Sequence, residues 1–144
     1  MINLFILDIS QAGSTSGVDR HIEKLLEGLE RYSYIKIFWI HFTQDSNLLL
    51  HKKEEEKHYI KIILPFPQVS YHIIDENFWM KKYNQHVFNI IKIYFHKKDN
   101  CILHLHTLNL IDLALLIKKH YKCKIITHLH CIPWKGLYII TPES

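Results

Sequence analysis

The spacing of apolar and polar residues changes repeatedly along this chain, and each change marks an element. Ile2 to Asp8 is a short apolar run without helical spacing, the habit of a central parallel strand covered on both faces. A small polar loop follows, Ser10-Gln-Ala-Gly-Ser-Thr-Ser-Gly17. Val18, Ile22, Leu25, Leu26 and Leu29 then recur as one stripe of an amphipathic helix, while Asp19, Arg20, Glu23, Lys24 and Glu27 fall on its watered side. Ser16 with Asp19 three residues later resembles a capping box at that helix start. Ile35 to Phe42 reads as a second strand, rich in β-branched and aromatic side chains.

Residues 43 to 57 carry no clear period. Within them Lys52, Lys53 and Lys57 alternate with Glu54, Glu55 and Glu56, which reads as a solvated loop or helix face. Tyr59 to Leu64 is a third strand, stopped by Pro65 and Pro67. From Asp75 to His96 the residues Trp79, Tyr83, Val87, Ile90, Ile91 and Tyr94 keep helical spacing, a stripe for packing. Cys101 to His106 predicts a fourth strand and Lys124 to His130 a fifth. Between them Leu108 to His120 predicts a helix that is apolar nearly all round and therefore buried against a sheet. Pro133 breaks the chain, and Tyr138 to Ile140 could open another element. Strand and helix alternate, so the expected fold is a Rossmann-like α/β domain, a mostly parallel sheet with helices on both faces, over residues 1–144 as one domain.

Composition narrows the function classes. The 144 residues are 48% hydrophobic and 22% charged, which suits a globular core rather than disorder. The net charge of +4 is spread among both signs, without the basic stripe and interleaved aromatics of a nucleic-acid surface. It is compatible with weak peripheral contact with an anionic membrane. Three cysteines, Cys101, Cys123 and Cys131, form no CxxC pair, which argues against a disulfide framework and for a reducing cytoplasm. The start lacks the basic region of a signal peptide, and the stretch richest in apolar residues, Leu105 to Ile117, is short and contains Asp112.

In such a sheet ligands bind beyond the carboxyl ends of the strands. Three loops gather there: Gln11 to Gly17, His106 to Asn109, and His130 to Trp134. The His-Leu-His pairs, His104 with His106 and His128 with His130, each point to one face because residues two apart share a strand face. His104 and His128 are expected to make buried structural hydrogen bonds, and His106 and His130 to meet a ligand at the strand exits. Two imidazoles on one face can also hold zinc or iron, with Asp8 or Asp112 as a carboxylate partner. A Cys131 nucleophile activated by His128 or His130 has no evident orienting third residue. The loop is neither GxGxxG nor a Walker loop.

Ser14-Thr-Ser-Gly-Val-Asp-Arg-His-Ile22 with Leu25-Leu-Glu-Gly-Leu29 resembles the glycine loop and first helix of GT-B glycosyltransferases of the family-4 type, with Ser16 in place of the first glycine of a pair. Ile102-Leu-His-Leu-His-Thr107 and Ile125-Ile-Thr-His-Leu-His130 resemble two further strands of that family, with Asn100 or Cys101 and then Cys131 where aspartates are common. The resemblance covers essentially the whole chain. It implies the amino-terminal, acceptor-side half of a GT-B fold, most like bacterial enzymes that build surface polysaccharides or decorate peptides. It further implies sugar transfer from a nucleotide-sugar donor to a saccharide, lipid-linked saccharide or peptide acceptor, with retention. Such a half is expected to be inactive alone, since a carboxy-terminal domain holds most of the donor. The family implies no metal and no cofactor beyond the nucleotide-sugar co-substrate. Residue by residue, it puts Gly13, Ser16 and Gly17 at the donor phosphate, His130 against the donor sugar as the catalytic residue, and His106, Thr107 and Asn109 on the acceptor side. Two other readings of the residues stay open: a stand-alone flavodoxin-like binding module, and a metal-dependent hydrolase using the His-x-His pairs.

Overall fold

The computed structural model describes residues 1–10, 17–44, 51–66 and 76–128. In chain order the elements are β1 (Ile2–Ser10), α1 (Gly17–Leu29), β2 (Ile35–Thr43), β3 (Lys52–Glu55), β4 (Tyr59–Pro65), α2 (Glu76–Ile91), β5 (Asn100–Leu105), α3 (Ile111–His120) and β6 (Cys123–Thr127). They form one six-stranded sheet in the order β3-β4-β2-β1-β5-β6. Every pairing is parallel except β3 with β4, which is antiparallel. The expected mostly parallel α/β sheet is therefore present.

The handedness of crossovers decides which face each helix covers. From β1 the chain moves one way to β2 through α1, and from β4 it moves the other way to β5 through α2 and on to β6 through α3. Right-handed crossovers in opposite directions put their helices on opposite faces. Packing agrees: Ile22 and Leu26 of α1 cover Ile6, Ile37 and Trp39, whereas residues of α2 and α3 cover Phe5, Leu7, Phe38, Ile40, Leu103 and Leu105. Alternate strand residues thus feed two separate cores. Burying Ile22 and Leu26, at 0% and 6% exposure, contributes roughly 1.5–3 kcal/mol each.

The larger core lies on the α2/α3 side. Phe5 is sandwiched between Phe38 and Phe95, with ring centroids 4.7 and 3.9 Å away. Phe95 reaches this position because α2 does not continue to His96. It ends at Ile91, tightens into a 3₁₀ turn over Lys92–Tyr94, and Phe95 turns extended at φ −99°, ψ 135°. The predicted stripe of α2 does pack: Val87 and Ile91 are buried, and Tyr83, Ile90 and Tyr94 lie against them. Tyr83 also donates its hydroxyl hydrogen bond to the Pro65 carbonyl at 2.6 Å, and burial pushes its phenol well above the ordinary range. Trp79 stacks on Tyr83, while Phe78 is exposed, so the aromatic residues near the start of α2 are not all core.

Three further expectations change. The charged stretch at Lys52–Glu55 is a strand at the sheet edge, not a loop or helix face. In an extended chain Lys52 meets Glu54 at 3.0 Å and Lys53 meets Glu55 at 2.7 Å, each pair two residues apart on one face. Charge along an edge also discourages pairing with another chain. The second difference is α3, which begins at Ile111 after a 3₁₀ turn over Leu108–Leu110 and buries one side only: Leu113, Ala114 and Ile117 are buried but Leu115 is 47% exposed. Third, Asp19 does not face water freely; it is half-buried, with one carboxylate oxygen buried. The expected element at 138–140 lies outside the described residues. Cys101 and Cys123 are buried neighbours on β5 and β6 and form no disulfide. A hydrogen bond to Cys123, aided by burial, holds the Cys101 thiol protonated far above its usual range.

Candidate functional site

Strand order reverses beside β1: the chain steps to β2 on one side and β5 on the other. The carboxyl ends of β1 and β5 therefore border the crevice where such sheets bind ligands. Asp8 and Ser10 end β1, His41 lies near the end of β2, His104 lies in β5, and His106 and His128 follow β5 and β6. Even-numbered residues of β1 and β5 face α1, as do odd-numbered residues of β2, because Ile6 and Trp39 pack on that helix. Nearly all the polar chemistry of the sheet is thus on the α1 face, at one end.

Parallel register sets Asp8 directly beside His41. Asp8 is 1% exposed, and its Oδ1 accepts hydrogen bonds from Trp39 Nε1 at 2.6 Å and from His41 Nδ1 at 2.9 Å. An ionised carboxylate can only accept, so Nδ1 of His41 carries a proton. Its other nitrogen, Nε2, lies 3.0 Å from Ser10 Oγ, and in the neutral ring it accepts from that hydroxyl. Asp8, His41 and Ser10 therefore form an ordered chain of hydrogen bonds beginning in the core and ending at the strand exit. Asp8 Oδ2 is buried without a hydrogen bond among the described residues. Oxygen or nitrogen atoms of Asp8, Asp19 and His41 all lie within 4.8 Å of one another.

A second cluster is built of histidines. His104 and His106 do share a face, with ring centroids 4.4 Å apart. The ring of His128 lies 5.5 Å from that of His106 and 6.2 Å from that of His104. The first turns of α1 add His21, whose ring lies 4.6 Å from His128 and 5.7 Å from His106. The sheet fixes two of these residues past its formal ends. His106 N–H donates to the Leu7 carbonyl at 2.9 Å, and His128 N–H donates to the Leu105 carbonyl at 2.8 Å. The expectation that His104 and His128 are buried is corrected: both are half-buried, and His106 is the buried one, at 5% exposure.

The remaining expected residues divide. Thr107 uses its hydroxyl to accept from Asn109 N–H at 3.3 Å, which starts the 3₁₀ turn, and Asn109 itself is exposed. Gly17 is the first residue of α1. Gly13, Ser16, His130, Cys131 and Trp134 lie outside the described residues, as does the proposed capping contact of Ser16. The carboxylates considered as partners for the histidines are not in that cluster. Asp8 is bonded to His41 and Trp39, and Asp112 is in the first turn of α3 on the opposite face. His21 and His41 are the residues that sequence reasoning missed.

Among the described residues no helix is long and apolar enough to cross a membrane. A scan against protein-family models gives no match, and neither does a comparison with curated proteins. Solved structures do match. An E. coli trehalose-6-phosphate synthase bound with UDP-2-fluoro glucose superposes with a TM-score of 0.59 at 14% identity, over 89% of this chain and 33% of that one. OtsA in its apo form gives a TM-score of 0.57 at 11% identity, over 90% of this chain and 34% of that one. The chain thus spans about a third of the length of the structures it matches. The likeness establishes a shared fold: a Rossmann-like α/β unit that matches half of a GT-B glycosyltransferase.

Proposed function

We propose that this domain forms the acceptor-side wall of the cleft in a nucleotide-sugar-dependent glycosyltransferase, with a further Rossmann-like unit as the donor-side wall. The observation that carries this reading is the placement of Asp8, Ser10, His41, His104, His106 and His128 on one face at the switch point of a GT-B-like sheet. A carboxylate, a hydroxyl and imidazoles are groups that exchange hydrogen bonds with sugar hydroxyls. Lysine and arginine, which would grip a diphosphate, are not part of this set; that fits the acceptor side better than the donor side. A structural relative was solved with UDP-2-fluoro glucose, which supports a nucleotide-sugar as the donor class.

In this reading the acceptor lies against His106 and the 3₁₀ turn carrying Thr107 and Asn109. His41, held in one tautomer by Asp8, presents Ser10 at the edge of the same site. The loop with Gly13, Ser16 and Gly17 approaches the donor phosphate, where main-chain N–H groups at the start of α1 favour the charge that develops on the leaving diphosphate. His130 approaches the donor sugar. The acceptor is a saccharide or a lipid-linked saccharide, and transfer proceeds with retention.

The test is a binding titration of the chain with nucleotide-sugars and with free and lipid-linked saccharides, run with a chelator present. Saturable saccharide binding is expected. His128→Ala, at a half-buried rim position, removes one hydrogen bond worth about 0.5–1.5 kcal/mol and should weaken that binding roughly 2- to 10-fold. Absence of saturable binding by every sugar ligand would overturn the reading.

A further inference from the structure

The histidine cluster has a geometry that hydrogen bonding to sugars does not require. Three imidazoles from three separate elements, His21 of α1, His106 after β5 and His128 after β6, offer ring nitrogens that all lie within 4.8 Å of one another. We propose that these three residues form a binding site for a divalent first-row transition cation, best matched to zinc, at the carboxyl edge of the sheet.

Zinc–imidazole bonds of about 2.0–2.1 Å in a tetrahedral site put ligand nitrogens about 3.3 Å apart. From separations of 4.8 Å or less, side-chain rotation closes the gap without moving the sheet. The backbones of two of the three ligands are already fixed, since the N–H groups of His106 and His128 extend the parallel ladder onto Leu7 and Leu105. The third, His21, is an exposed residue of α1 whose ring already lies 4.6 Å from that of His128. Exposure rises from His106 (buried) through His128 (half-buried) to His21 (exposed), which gives the cation a route in from solvent.

Chemistry then selects the ion. An all-imidazole donor set suits zinc, copper or nickel, and offers calcium or magnesium none of the oxygen ligands they need. Three protein ligands leave a fourth position open, where zinc holds water or an incoming oxygen ligand. His104 stays outside the ligand group and packs its ring 4.4 Å from that of His106. The neighbouring group of Asp8, Asp19 and His41 is a poorer site, because Asp8 Oδ1 and His41 Nδ1 are already bonded to each other.

The site stands on the cluster alone and does not depend on the glycosyltransferase reading. It is tested with the full chain, stripped by a chelator and exchanged into chelator-free buffer, then titrated with zinc chloride by calorimetry and with cobalt chloride by visible absorption. The expected result is one equivalent bound, cobalt bands of tetrahedral type, and a zinc-dependent rise in melting temperature. His21→Ala is at an exposed helix position where folding is retained, and it should weaken zinc binding at least tenfold, the lower range for loss of even an outer-shell partner. His96→Ala, at an exposed residue remote from the cluster, should leave uptake unchanged. No stoichiometric uptake, or His21→Ala binding as the parent does, or equal losses in both variants, would each overturn the proposal. Sugar binding measured with chelator present can succeed or fail separately.

Discussion

The two faces of the sheet are built from the same strands yet serve different ends. On the α2/α3 face the inward positions of β1, β2 and β5 are apolar along the middle and carboxyl end of the strands, Phe5 and Leu7, Phe38, Ile40 and Phe42, then Leu103 and Leu105; the buried polar Asn3 is at the amino end of β1, bonded to Asp99. On the α1 face apolar packing stops partway along the strands, at Ile6 and Trp39, and gives way to Asp8, Ser10, His41, His104 and His106. One helix covers that face among the described elements, and Ile126 of β6 remains 51% exposed there. Stability is concentrated where two helices close over the sheet, and polar chemistry where only one does. The contrast follows from topology: the link from β2 to β4 runs through the antiparallel edge strand β3 instead of a described helix.

The largest loss is expected at Phe5. Phe5→Ala removes a ring stacked between Phe38 and Phe95, and should cost about 3–5 kcal/mol in chemical denaturation. A loss below 1 kcal/mol would mean that the α2/α3 face does not dominate stability. A smaller effect is expected at Trp39. Trp39→Phe keeps most of the apolar bulk but takes the 2.6 Å donor away from buried Asp8, at about 1–3 kcal/mol. The accompanying sign should be local: the Asp8–His41 pair loosens, so hydrogen exchange at the carboxyl end of β1 and β2 quickens while β5 and α3 stay protected. Smallest is Lys61→Met, which ends the contact of Lys61 Nζ over the Trp39 ring at 4.0 Å and should cost about 0.5–1 kcal/mol.

Much of this was legible in the residues, and the gaps have physical causes. The apolar runs at 2–8, 35–42 and 59–64 gave strands within a residue or two, because burial on both faces leaves little room for polar residues. Lys52–Glu55 was missed as a strand since an edge strand needs no apolar face; pairing of charges at i and i+2, Lys52 with Glu54 and Lys53 with Glu55, was the available signal. The end of α2 was overrun because Tyr94 still fits a helical stripe, although the 3₁₀ turn is what delivers Phe95 to Phe5. At the site, the His-x-His pattern revealed His104 with His106 directly. His41 could not be found this way: its link to Asp8 depends on the parallel register of two strands 33 positions apart. His21 was hidden on the polar side of an amphipathic helix, and only the placement of α1 over the sheet brings it to His128.

Ligands are proposed to meet this domain at the carboxyl edge of its α1 face. A two-dimensional NMR titration with a nucleotide-sugar and with a saccharide acceptor tests it most directly, because the Trp39 indole N–H is bonded to Asp8 inside that edge and gives a resolved probe. Saturable shifts are expected at Trp39 Nε1–H and at the imidazoles of His41, His104, His106 and His128, with Phe88 and Phe95 on the opposite face undisturbed. Shifts confined to the groove between α2 and α3, or none at Trp39 and the histidines, would contradict it.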